Sequence, residues 1–224
     1  NGGGYLDIAA ELSYMIAGPT SAGQVFDEII FNDKHPSRNP ITGSALSPTL
    51  FASTTGNFLL QPGQPLPTLT LRRVFILSSN GTASASEAVI NGLRGIGMEV
   101  ILIGDTTRGK PYGFYSQDNC GTTYFTIQFK GANAIGFGDF SDGFVPVDSA
   151  DFSGADVTGC LVGDDLTRSL GDSQEKQLAA ALTYIETGRC PIAPLSQSSL
   201  AASEISSLRS TFGRVMKPAL GNLR

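Results

Sequence analysis

Residues 74–104 read V-F-I-L-S-S-N-G-T-A-S-A-S-E-A-V-I-N-G-L-R-G-I-G-M-E-V-I-L-I-G, and this stretch decides the fold. Val74 to Leu77 is a short apolar run of the kind that forms a buried strand, and Ser78-Ser79-Asn80-Gly81 is a turn. From T-A-S-A-S-E onward Ala85, Ala88, Val89 and Leu93 recur at helical spacing, with Gly95 and Gly97 near the helix end. Val100 to Ile103 is a second apolar run. Strand, helix and strand within about thirty residues make a βαβ unit. Such a unit predicts parallel strands, a right-handed crossover and a site at the strand C-terminal ends. The expected class is therefore α/β.

Working outward, Tyr5, Ile8, Ala9, Leu12, Met15 and Ile16 mark an amphipathic helix that follows N-G-G-G and stops at Gly18 and Pro19. Residues 20–70 are rich in Pro, Gly, Ser, Thr and Asn and read as long loops, with only Val25 to Phe31 resembling a strand. Tyr124 to Phe129 alternates as a half-exposed strand, and 131–159 reads as mostly loop. Asp172 and Glu175 form a capping pair for a helix with Leu178, Ala181, Leu182 and Ile185 on its stripe, stopped by Gly188 and Pro191. The expected division is a core over 1–190 and a helical tail over 191–224, through Ile205, Leu208 and Phe212.

Composition excludes several function classes. The 20 acidic and 15 basic residues are spread without blocks, so no basic stripe exists for a phosphate backbone and nucleic acid is not an expected partner. No run approaches the roughly 18 apolar residues of a membrane span. The opening N-G-G-G reads as the interior of a longer chain. Cys120, Cys160 and Cys190 lie far apart with no C-x-x-C pair, which argues against structural zinc and leaves one disulfide plus one free thiol possible. The one histidine, His35, sits in the polar, proline-interrupted stretch N-D-K-H-P-S-R-N-P. It reads as a solvated loop residue, so a Ser-His-Asp triad has little to draw on and a two-histidine metal site is excluded.

The chemistry then falls to a serine and a lysine. Ser84 lies at the strand-to-helix turn between Ala83 and Ala85, where helix N–H groups are unpaired and the dipole is positive. An N-cap role would by itself account for a serine there. Lys110 closes G-D-T-T-R-G-K after the second strand, at the same end of the same sheet. That spacing matches a phosphate-binding loop, but Pro111 stands where the magnesium-binding Ser or Thr is required and no amphipathic helix follows. A serine hydroxyl attacks only when a base removes its proton, and a lysine accepts one only while neutral. In water roughly one lysine in a few thousand is neutral at pH 7, and an apolar setting raises that share. The strand Val100 to Ile103 with Pro111, Tyr112 and Phe114 is expected to provide one, whereas Lys34, Lys130, Lys176 and Lys217 lack such a frame.

Together, T-A-S-A-S-E and, about 26 residues later, G-D-T-T-R-G-K-P resemble the signature of the carboxy-terminal processing, or tail-specific, serine peptidases. N-G-G-G is similar to that family's Gly-rich turn, and G-D-S-Q-E-K-Q-L-A-A-A-L to its late helical segment. The likeness spans most of 1–188, and the combination is specific where single pieces are not.

The resemblance implies a crotonase- and Clp-like spiral core with parallel βαβ units, extra loops and a C-terminal helical segment. It implies Ser84 as nucleophile, Lys110 as general base, an oxyanion hole formed by the N–H groups of Ala85 and Gly3, and Glu87 as an orienting residue. An ordinary first-turn carboxylate would also account for Glu87. No metal or organic cofactor is implied. The implied substrate is an unstructured polypeptide near its C-terminus, bound by strand addition. The implied location is periplasmic or extracytoplasmic, with further N-terminal domains in the full-length chain. Two departures stand out: Phe114 occupies the place of a glutamine found in many relatives, and the Ser84 to Lys110 spacing is one residue longer than the commonest pattern, at Gly95-Ile96-Gly97. A non-catalytic module on the same fold, binding peptide or a small apolar ligand, is the alternative.

Overall fold

The computed structural model describes residues 1–56, 61–148 and 154–191. The chain divides into two units, Asn1–Cys190 and Pro191–Arg224, and the tail helix expected beyond Pro191 lies outside the described residues. In chain order the elements are α1 (Leu6–Ala17), β1 (Val25–Ile30), β2 (Thr49–Leu50), β3 (Arg73–Ser78), α2 (Ala85–Gly95), β4 (Glu99–Gly104), β5 (Tyr112–Gly113), β6 (Gln117–Asn119), β7 (Thr122–Tyr124), β8 (Phe129–Ala132), β9 (Val145–Val147), β10 (Asp156–Leu161) and α3 (Lys176–Thr187). The class is mixed α/β.

The organising sheet runs β3-β4-β10-β9, all parallel, and a second sheet, β2-β1-β8-β5, is antiparallel. Strand β4 explains the first sheet. Its apolar run alternates: Val100 and Leu102 enter the larger core with Ile90 and Leu93 of α2, while Ile101 and Ile103 face Ala180 and Ala181 of α3. A strand covered on both faces must be apolar throughout, which is why periodicity is absent there. The β3–α2–β4 unit follows the sequence reading, and Ser78 pairs in register with Gly104 at the C-terminal end of both strands.

Helix α1 has the expected bounds but turns a different face inward. Ala9, Ala10, Tyr14 and Ala17 are buried, whereas Tyr5, Ile8 and Leu12 are exposed. Small side chains on the buried face let α1 lie close against α2, a requirement that apolar periodicity does not register.

Two further expectations are corrected and a third is refined. The strand expected over Tyr124 to Phe129 is split between β7 and β8, and Phe125 and Ile127 stay exposed because no sheet covers them. The stretch 131–159 is mostly loop, as expected, but it also contains β9 and the start of β10, the latter inserted between β4 and β9. Gly159 disguises β10 in the sequence, yet it is what permits the pairing, since a Cβ there would overlap Leu102 O. Finally, Glu175 alone caps α3, accepting from the N–H groups of Gln177 and Leu178, while Asp172 accepts from Gln174 one turn earlier.

Cys160 on β10 is joined to Cys190 beyond α3 by a disulfide, which ties that helix's far end to the sheet, and Cys120 is free. Among the described residues no helix is long and apolar enough to cross a membrane.

Candidate active site

Ser84 ends the turn after β3 as the N-cap of α2. Its backbone lies at φ 58° and ψ −123°, a conformation costly for a residue with a side chain. Such strain persists only where the surroundings over-determine it. The determinant is Glu87, whose side chain is 0% exposed. Its Oε2 accepts from the N–H of Ser84 at 2.9 Å. The same oxygen accepts from the N–H of Lys110, also at 2.9 Å. Its Oε1 accepts from Thr107 Oγ1 at 2.6 Å and from the N–H of Gly109 at 2.7 Å. One buried carboxylate thus holds the serine turn and the lysine loop together, and the charge is met by four donors at the positive end of α2.

The lysine loop is fixed from outside as well. Thr107 Oγ1 accepts from the N–H of Phe144, the N–H of Arg108 reaches Thr82 O, and Gly109 turns with φ 77° where a Cβ would overlap Ser141 O. No helix follows Lys110, only the two-residue strand β5, so the arrangement is not that of a phosphate-binding loop.

Ser84 and Lys110 line one cavity of about 210 Å³, together with Gly4, Leu6, Asp27, Ile29, Ala85, Tyr112, Phe129 and Phe140 among others. The apolar shelter expected around the lysine is not formed. Pro111 is buried, but Lys110, Tyr112 and Phe114 are exposed, because β5 runs along the sheet edge rather than into the core.

The Gly-rich turn abuts the serine. A side chain on Gly3 would stand 2.8 Å from Ser84 Cβ and 3.0 Å from Ala85 N. Ala85, at the first helical position, has an N–H with no intrahelical partner. The N–H of Gly3 donates to Asn1 Oδ1 at 3.0 Å, and the glycine that lines the cavity beside Ser84 is Gly4. Glu87 engages the backbone of Lys110, the loop around it and the serine turn, a different arrangement from a carboxylate set against the ammonium group.

Two participants were not anticipated. Thr107 links Glu87 to Phe144, and its only sequence signal is its place in the G-D-T-T-R-G-K loop. Asp27 is a buried carboxyl group on β1 whose pKa is pushed up from 3.8 to about 6, first by burial and then by the neighbouring charge of Glu28. A shift in register between Val25 and Asp27 puts Phe26 and Asp27 both inside, which strand alternation does not foresee.

Among solved structures the chain is similar to an S41 protease from Bacteroides fragilis, at 26% identity and TM-score 0.60, over 84% of this chain and 43% of that one. The chain resembles the carboxy-terminal processing peptidase family. The likeness to the photosystem II D1 C-terminal processing protease, at 19% identity and TM-score 0.44 over 65% of this chain and 31% of that one, is too slight to carry an argument. The chain spans less than half the length of either neighbour. No protein-family model matches it, and no curated protein sequence does.

Proposed function

We propose that this chain is the catalytic portion of a serine endopeptidase that cuts unstructured polypeptides near the C-terminus, built on a crotonase- and Clp-like spiral core. The observation that carries this reading is the Glu87 carboxylate, which joins the backbones of Ser84 and Lys110 at the rim of one cavity. A structural N-cap serine would not require a lysine loop tied to the same acceptor.

In the proposed reaction Ser84 Oγ attacks the scissile carbonyl carbon. Neutral Lys110 Nζ takes the hydroxyl proton and passes it to the leaving amine, giving an acyl-enzyme that water hydrolyses by the same route. The N–H groups of Ala85 and Gly3 hold the oxyanion, the latter once its contact with Asn1 opens. The exposed lysine is covered when a polypeptide lies across the cavity, and loss of water disfavours an ammonium ion. That exposure is also the observation that favours the alternative, a binding module without catalysis. Location outside the cytoplasm is part of the proposal, and the Cys160–Cys190 bridge supports it.

The test is labelling of Ser84 by a fluorophosphonate, read by intact mass. Wild type is expected to gain one adduct, and Ser84→Ala and Lys110→Ala none. Undiminished labelling of either variant overturns the assignment, and an unlabelled wild type favours the binding module.

A further inference from the structure

The cavity beside Ser84 contains a group that the hydrolytic scheme does not use. Asp27 is only 8% exposed, yet it lines this cavity. Its carboxylate lies over Gly131 of β8, where a Cβ would overlap Asp27 Oδ1, so the missing side chain makes room for the acid. Among the described residues nothing hydrogen-bonds or ion-pairs with the Asp27 carboxylate, whose backbone alone is paired, in the ladder with β2. Burying a carboxylate without a counter-charge is costly, and an apolar residue in its place would pack without that cost. No described side chain offsets that cost, and the carboxylate is left to whatever enters the cavity it lines.

The walls say what kind of ligand. Leu6, Ile29, Ala88, Phe129 and Phe140 line the cavity with apolar surface, suited to a methylene stem. At about 210 Å³ the volume falls below the roughly 300–1,000 Å³ of sites that engulf a whole drug-sized ligand, so it suits a single side chain. We propose that this cavity is the subsite for a lysine or arginine side chain of the substrate, on the residue whose carbonyl Ser84 attacks, with Asp27 receiving the cationic head. This assignment rests on the peptidase reading above. Lys110 lines the same cavity without pairing with Asp27.

Two peptidyl diphenyl phosphonates, identical except for lysine or norleucine at the reacting residue, test it. Both carry the same methylene stem, and only one carries a charge. The rate of Ser84 modification is followed by intact mass at pH 8. In wild type the lysine probe is expected to react at least about tenfold faster, and in Asp27→Asn the ratio of the two rates is expected to fall close to one. Equal rates in wild type, a comparison that needs no variant, overturn the subsite while labelling by norleucine leaves the peptidase reading standing. A ratio unchanged in Asp27→Asn, with both rates lowered, ties the residue to the lysine loop instead and also overturns it. No modification by either probe overturns the peptidase reading, and the subsite with it.

Discussion

Glu87 Oε2 accepts a hydrogen bond from the backbone N–H of Ser84 and another from that of Lys110, each at 2.9 Å, so the two nitrogens stand within twice that distance of one another. Residues 26 positions apart in sequence are held on a single buried atom.

Glu87→Gln keeps the shape of the side chain but offers one acceptor oxygen and an NH2 group to four donors. Two donors lose their acceptor inside the core. The expected cost is about 3 kcal/mol of stability, read by urea denaturation, together with loss of fluorophosphonate labelling. A variant as stable as wild type would show that the carboxylate is replaceable.

Ser84 pays for its backbone conformation, and glycine does not. Ser84→Gly is therefore expected to be about 1 kcal/mol more stable than Ser84→Ala, although both lack the hydroxyl. Thermal melts of the two variants side by side check this. Equal melting temperatures would show that the turn is unstrained.

Asp27 gives stability a distinctive pH dependence. Its folded pKa, about 6, lies above the ordinary 3.8. Between those values the folded chain holds a proton that the unfolded chain releases, so this contribution is present at low pH and is lost as pH rises through 6. Asp27→Asn is expected to exceed wild type by roughly 3 kcal/mol at pH 8 and by only about 0.5 kcal/mol at pH 4. Denaturant melts at both values decide it, and a difference independent of pH would contradict the burial argument.

Reduction of Cys160–Cys190, which are 30 residues apart, is expected to cost roughly 3 kcal/mol. Melts with and without reductant measure it. No change would mean that α3 is held by its packing on Ile101 and Ile103 alone.

The β3–α2–β4 unit was legible because a strand buried on both faces carries its burial in its own residues. The position of Ser84 and Lys110 at one end of the sheet followed from that unit. Features that depend on partners distant in sequence did not follow. Nothing local in D-V-T-G-C-L announces a strand whose glycine fits against Leu102, and nothing in V-F-D-E-I-I announces the register shift that buries Asp27. The exposure of Lys110 depends on where β5 docks, which the apolar neighbours Tyr112 and Phe114 misrepresent.

The acceptor role of Glu87 also bears on how the chain matures. During synthesis the serine turn emerges before the lysine loop, and until residues 107–110 arrive the carboxylate has only water and its own helix to bond. Three of the carboxylate's four bonds come from residues 107, 109 and 110 and form only when that loop closes on the helix. The serine turn and the lysine loop thus meet on their shared acceptor only once the chain has been made through the crossover.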